Sequence, residues 1–348
     1  MQCFYLLPVN GLGVRSLIKF MLSRKRLCFG ILFFVLLILL SFFYSFYLKD
    51  HIPPIKTNYR DSLGVLHSVP YSPMQYLPFG TDRAGVNLLW KVIEGAKYTI
   101  GIALIASFFQ IFFSTILGVT LANSFVLIRK TFANFAQIFY YIPTVLILCY
   151  LPMRSYDWGG GHQFLVIIEK QLIILIGVAI PTISIYVANE IDLIMKKEFI
   201  DSATVLGGSK FFIFRKHVWP NIKGKVFLLF FQQCSQVMIL LTQLGIFNIF
   251  IGGGRIADDP LMGTKSVYSF SNEWAGLMGA NRTELFIAPW IVLAPLFMFA
   301  ISIFMMNMIY KQMEELMGET KIKVKVEKKE KEKVKQINKN WFEIANHG

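Results

Sequence analysis

The sequence predicts an all-α membrane protein with six transmembrane helices, and three observations support that prediction. The 348-residue chain is 55% apolar, only 16% of its residues are charged and 33 are phenylalanine, which is too apolar for a soluble domain. Six stretches are each long enough to cross the hydrocarbon core of a bilayer as a helix. None of these six stretches contains a charged residue. They cover residues 28–48, 98–128, 131–153, 171–189, 226–254 and 285–310.

The basic residues predict the orientation of these helices. With the N-terminus inside, 24 of the 35 lysine and arginine residues lie on the cytoplasmic side, as expected because basic residues beside a span resist translocation. An even number of crossings then places both termini in the cytoplasm. The net charge of +14 follows from this topology. Nucleic-acid binding is not expected, since the basic excess flanks spans rather than forming a soluble face.

The spans divide the chain into five parts. These are a cytoplasmic leader (1–27), the first helix (28–48), an exterior segment (49–97), a core of five helices (98–310) and a lysine-rich cytoplasmic tail (311–348). In the exterior segment, apolar residues recur at helical spacing after Gly80, at Val86, Leu89, Trp90 and Ile93. This spacing predicts an amphipathic helix along the outer interface, although the same helix would also serve as an extension of the second span.

The connection over residues 190–225 predicts a helix, a turn and a second helix on the cytoplasmic side. Gly207 and Gly208 can supply the positive φ of the turn, and Pro220 is expected to stop the second helix before the fifth span. The predicted apolar face of the first helix consists of Phe199, Ala203 and Leu206.

The spacing of residues in this connection resembles the EAA loop of ABC importer permeases. The family pattern is an acid, two alanines, three residues, a glycine, nine residues and a four-residue group ending in proline. Asp201, Ser202, Ala203, Gly207 and Pro220 fall in this register, with aspartate and serine replacing a glutamate and an alanine.

Other segments are similar to the second permease of oligopeptide and dipeptide importers. They are the GTD motif within residues 80–87, before the second span, and the stretches 274–276 and 288–290, before the last span. This resemblance implies a type I ABC importer permease fold in the plasma membrane of a bacterium. It also implies four further subunits: a homologous permease, two ABC ATPase subunits and an extracytoplasmic substrate-binding protein.

The resemblance assigns ATPase coupling to one set of residues, namely Asp201, Ser202, Ala203, Gly207, Gly208 and Pro220. The alternative is that this segment is only a capped amphipathic linker. The chain has no GxxxxGK[ST] loop for phosphates, so ATP and Mg²⁺ are expected on the partner ATPase. The chain itself is therefore not expected to be an enzyme or to hold a cofactor or metal.

The resemblance implies import of oligopeptides or dipeptides, and the alternative cargoes are nickel chelates, glutathione or antimicrobial peptides. Asp258 and Asp259 are adjacent, but the exterior loops show no metal-ligand spacing that would favour nickel. An ion-driven secondary transporter is a further alternative. It would need paired ionisable residues inside spans, and the six stretches have none.

Gln232, Gln236 and Gln243 lie on one face of the fifth predicted span. Amide side chains are costly in lipid, so they should face a partner helix or a water-filled cavity. The sequence therefore predicts either part of the translocation path or hydrogen bonding between helices at these positions.

Overall fold

The computed structural model of the chain describes residues 25–52, 55, 58–60, 66–151, 156–157, 164–259 and 264–345. Nearly all of the predicted leader lies outside these residues. The helices are α1 (Lys25–Phe43), α2 (Leu88–Ala122), α3 (Val126–Tyr141), α4 (Thr144–Tyr150), α5 (Phe164–Met195), α6 (Glu198–Val205), α7 (Lys210–Ile213), α8 (Trp219–Ile246), α9 (Trp274–Ala280) and α10 (Trp290–Ala345). Shorter π and 3₁₀ turns cover Tyr44–Leu48, Phe214–Val218 and Arg282–Phe286.

Two small sheets, which the sequence did not predict, accompany the helices. The strand β1 (Asn58–Arg60) pairs antiparallel with β2 (Leu66–Ser68). In the second sheet, β3 (Tyr156–Asp157) pairs parallel with β4 (Gly254–Asp259), which pairs antiparallel with β5 (Thr264–Ser269). Apart from Gly254, the last residue of the fifth predicted span, the strands lie in segments between the predicted spans.

The membrane-spanning helices confirm the predicted fold class. The described residues contain five helices long and apolar enough to cross a membrane, or six if the bent pair α3–α4 is one span. The two helices of that pair meet at 91°. The break falls at Pro143, whose backbone is extended with ψ 123 and whose nitrogen has no hydrogen to donate. The third predicted span is therefore broken rather than straight.

The start of α2 corrects the prediction of a separate interfacial helix. The side chain of Asn87 accepts a hydrogen bond from the Leu89 N–H at 2.9 Å, which caps the helix, and α2 then runs unbroken for 35 residues. Asp82 instead closes a turn, because its carboxylate accepts hydrogen bonds from the N–H groups of Ala84 and Val86 at 2.9 and 2.8 Å. The apolar residues after Asn87 thus extend the second span.

The helices α2 and α5 form the most extensive contact of the bundle. They approach closely at Gly118, where an added Cβ would lie 2.7 Å from the Cβ of Val187 and 2.8 Å from the carbonyl oxygen of Ser184. Small residues allow such contacts between membrane helices. On the other side of α2 pack α8 and α1, and α1 and α8 in turn contact α10. The bundle thus has α2 near its centre.

Candidate functional site

Residues 198–220, here called the α6–α7 segment, contain the turn that the sequence predicted. The N–H of Gly207 donates to the Thr204 carbonyl and the N–H of Gly208 to the Ala203 carbonyl, both at 3.0 Å. These two bonds form a Schellman motif at the end of α6. Gly207 has φ +84, and a Cβ there would meet nothing within 4 Å. Its requirement for glycine is therefore conformational.

Gly208 has a different role from the one predicted. Gly207 has a positive φ, whereas Gly208 is not one of the described glycines with a positive φ. A Cβ on Gly208 would lie 2.8 Å from the carbonyl oxygen of Ala203. Gly208 is thus required because the chain passes close to the end of α6.

Three buried aliphatic side chains anchor the α6–α7 segment to the transmembrane bundle. Ile200, Ile213 and Val218 are only 2%, 4% and 0% exposed. They belong to a hydrophobic cluster with residues of α5 and α8, including Ile191, Ile194 and Ile222. Because this packing fixes both helices of the segment, a force applied to α6 or α7 reaches α5 and α8.

The orientation of α6 differs from the predicted one. Phe199 and Leu206, which the sequence placed on one apolar face with Ala203, are 41% and 87% exposed, whereas Ile200 is the residue that enters the core. Neighbouring positions on a helix point about 100° apart. The helix is therefore rotated about its axis relative to the prediction.

The outer surface of the α6–α7 segment combines a carboxylate with apolar side chains. Asp201, Ser202 and Gly207 are exposed, as are Val205 and Leu206, both at 87%. Ala203 and Gly208 are half-buried beneath them. An apolar patch beside charged residues is typical of a protein–protein contact.

Pro220 does not end the second helix, contrary to the prediction. The run from Lys210 to Ile246 is continuous, and Pro220 lies in the first turn of α8. Because proline lacks an N–H, a regular helix would lose a hydrogen bond at this position. The π turn Phe214–Val218 lies immediately before α8 and joins it to α7. The helix therefore continues from α7 into the span.

Ion pairs close the base of the predicted 190–225 connection. Lys225 pairs with Glu190 at its opposite end. Arg129 pairs with Asp192 and donates to the Asn189 side-chain oxygen at 2.8 Å, which ties α3 to the end of α5. Neither ion pair was predicted from the sequence, although the opposite charges of Glu190 and Lys225 at the two ends of the connection were a usable signal for the first.

The three predicted glutamines lie on an exposed face of α8. Gln232, Gln236 and Gln243 alternate with Ile239 and Ile246 along this face, at spacings of four and three residues that favour packing against another helix. Gln232 also lines a cleft of about 260 Å³ together with side chains of α5 and α10. Among the described residues, none of the three glutamines hydrogen-bonds to another helix. They therefore face outward from this chain.

The motifs before the second and last spans meet in the structure. The indole N–H of Trp290 donates to the Thr81 carbonyl at 3.3 Å, and Arg83 pairs with Glu284 at 2.6 Å. The indole N–H of Trp274 donates to the Val92 carbonyl of α2 at 2.7 Å. These contacts give the exterior motifs a structural role, because they hold α9 and α10 against α2.

Glu273 is a buried carboxyl that the sequence analysis did not single out. It is 0% exposed and caps α9, where one oxygen accepts a hydrogen bond from the Ala275 N–H at 2.7 Å. Burial raises the pKa of Glu273 to about 7, against the opposing effect of N–H groups from Ala275, Gly276 and Ile251. Its other carboxylate oxygen has no hydrogen-bond partner among the described residues.

Comparison with known proteins agrees with the resemblance seen in the motifs. No family model matches the chain. The chain is 23% identical over 234 residues to the oligopeptide transport system permease protein OppC of Haemophilus influenzae. Over this stretch the chain is therefore similar to a permease subunit of an oligopeptide transport system. The match covers 66% of this chain and 66% of the relative, slightly less than two thirds of either. The roles of the α6–α7 segment and of the three glutamines stay predictions.

Proposed function

We propose that this chain is one permease subunit, of the second-permease type, in an ATP-driven importer of oligopeptides or dipeptides. The observation that carries the proposal is the α6–α7 segment, which is anchored by buried Ile200, Ile213 and Val218 while Asp201, Val205 and neighbouring residues are exposed. The similarity to a known oligopeptide permease supports the same function.

In the proposed mechanism, the exposed surface of the α6–α7 segment binds an ABC ATPase subunit. Two such subunits bind ATP and Mg²⁺, and their closure on nucleotide displaces the segment. Ile200 and Ile213 pack against α5 and α8, and α7 continues into α8, so the displacement moves these helices together. This chain contributes movement and a path, and no covalent step.

The proposed path runs along the glutamine face of α8. A homologous permease covers this face, and the amides of Gln232, Gln236 and Gln243 can donate to and accept from the backbone of a peptide. An extracytoplasmic substrate-binding protein delivers the peptide at the opposite side of the membrane from the α6–α7 segment.

Cysteine crosslinking in the assembled transporter tests the ATPase contact. In a chain whose native cysteines are replaced by alanine, Ser202→Cys and Val205→Cys should crosslink to the ATPase subunit, because both positions are exposed on α6. Phe46→Cys is the matched control. Phe46 is 84% exposed, but it lies at the predicted exterior end of the first span, on the opposite side of the membrane from α6. The proposal fails if Ser202→Cys and Val205→Cys give no ATPase adduct in a transporter that imports peptide.

A further inference from the structure

A long apolar groove lies between α2 and the start of α8, with a volume of about 930 Å³. One wall is a stripe that repeats every fourth residue from α7 into α8, so that it follows one helix face. It consists of Phe211, Arg215, Trp219, Lys223 and Phe227. The groove therefore has apolar ends and two basic residues near its middle.

The opposite wall of the groove is an apolar face of α2. Phe108, Phe112 and Ile116 lie one turn apart along it and are 55%, 49% and 51% exposed. On a helix that crosses a bilayer, exposed apolar side chains are available for contact with acyl chains. This wall can hold acyl chains.

Arg215 and Lys223 are the charged residues of the groove, and its lining contains no carboxylate. Within the part of the chain that the structure describes, neither forms an ion pair. They are separated by eight residues, about 12 Å along the helix axis, and their long side chains can converge on a group between them. Trp219 lies between them in the stripe, as expected near a membrane interface.

We propose that this groove binds one anionic phospholipid. Its phosphate lies between Arg215 and Lys223, and its acyl chains extend along Phe108, Phe112 and Phe227. The two cations match a headgroup with net negative charge, whereas a zwitterionic headgroup would offset the attraction with its own ammonium. Basic pockets at the cytoplasmic ends of membrane helices favour such lipids.

The bound lipid would contact the moving part of the proposed mechanism. Phe211 belongs to α7 and Arg215 to the π turn, so the lipid would lie between α2 and the α6–α7 segment. The binding site itself does not depend on coupling to an ATPase, and it can be tested without transport.

Lipid selectivity can be measured by fluorescence quenching of the purified full-length chain in phosphatidylcholine bilayers. The probe lipids are dibrominated phosphatidylglycerol and dibrominated phosphatidylcholine, and the Trp219 signal is the difference between the wild-type chain and a Trp219→Phe variant. Each basic residue that contacts the headgroup is expected to contribute about a fivefold preference for anionic lipid. The relative binding constant should therefore favour phosphatidylglycerol by about 25-fold for two such residues.

Two variants separate a site from general attraction to basic protein. Arg215→Gln combined with Lys223→Gln should lower the relative binding constant to about one. Lys216→Gln should leave it unchanged, because Lys216 lies 5.9 Å from the Phe212 ring and does not line the groove. A wild-type constant near one overturns the proposal, as does an equal loss in Lys216→Gln. Loss of Trp219 quenching in the assembled transporter also overturns it, since the pairing permease would then occupy the groove.

Discussion

Gly207 combines a backbone conformation that few residues adopt with an exposed position. Its φ of +84 disfavours residues other than glycine, and no atom lies within 4 Å of an added Cβ. The effect of a substitution therefore depends on the turn and on what binds to it. Asparagine tolerates positive φ better than other side chains do, whereas β-branched valine does not.

Peptide uptake should fall at least tenfold in Gly207→Val and in Gly207→Trp, with membrane abundance within about twofold of wild type, because the cost of a strained turn is only about 1–2 kcal/mol. Gly207→Asn is the matched variant, and it should retain most uptake. The measurements are radiolabelled peptide uptake and quantification of the chain in membranes. Normal uptake by Gly207→Trp would contradict the coupling role.

Glu273 should make the stability of the protein depend on pH. Its pKa is raised from 4.5 to about 7 by burial, so the folded state holds the proton more tightly than the unfolded state. Its contribution to stability is complete below pH 4.5 and is lost as the pH rises to about 7, by about 3 kcal/mol in total.

Thermal unfolding of the detergent-purified chain between pH 4.5 and 8 measures this dependence. Glu273→Gln keeps an oxygen that can accept the Ala275 N–H but does not titrate. The variant should therefore lose the decline in unfolding temperature that the wild-type chain shows over this range. Equal pH slopes in the two proteins would show that another group is responsible.

Among the helices, the contact between α2 and α5 depends on the absence of a side chain at Gly118. Gly118→Leu would force α2 away from Val187 and Ser184, since an added Cβ already lies less than 3 Å from fixed atoms of both. Overpacking of this kind costs about 1–3 kcal/mol or more. Gly101→Leu on the same helix is the control, because a Cβ there would meet nothing within 4 Å.

Unfolding of both glycine variants in detergent should show a lower midpoint for Gly118→Leu and a nearly unchanged one for Gly101→Leu. An equal loss in both would mean that the leucine acts through the general properties of the helix. It would then not act through the contact with α5.

Span positions could be predicted because each is an uninterrupted apolar run, but helix ends could not be predicted in this way. Those ends depend on local backbone hydrogen bonding. The side chain of Asn87 caps α2, and Pro143, which has no N–H to donate, separates α3 from α4. The strand pair β3–β4 joins residues almost a hundred positions apart, and local sequence patterns carry no record of such pairing.

In the candidate site, the sequence predicted the turn at Gly207, since glycine is the residue that most readily adopts a positive φ. It did not predict the rotation of α6, because Phe199 and Ile200 are both apolar and only the packing against α5 selects Ile200. The prediction that Pro220 ends the second helix was wrong for a different reason. Proline is tolerated in the first turn of a helix, and the preceding π turn could not be seen in the sequence.

Across the whole molecule, the predicted orientation puts the α6–α7 segment in the cytoplasm and the GTD motif outside. Two highly exposed positions test this with a membrane-impermeant maleimide on intact cells. Met74→Cys, at a side chain that is 97% exposed, should be labelled, and Val205→Cys, at one that is 87% exposed, should not. Permeabilised cells should label both. If Val205→Cys alone were labelled in intact cells, the orientation of the chain would be the opposite of the predicted one.

The burial of α9 bears on how α2 and α8 would move in the proposed importer. Trp274 to Gly279 are all buried, and an added Cβ on Gly279 would lie 2.1 Å from the Gly245 carbonyl oxygen of α8. Trp274 joins the same short helix to α2. These contacts hold the adjacent ends of α2 and α8 together through α9. In the proposed importer, we therefore expect α2 and α8 to move as one unit, so that an outward-facing entrance forms between this chain and the proposed second permease.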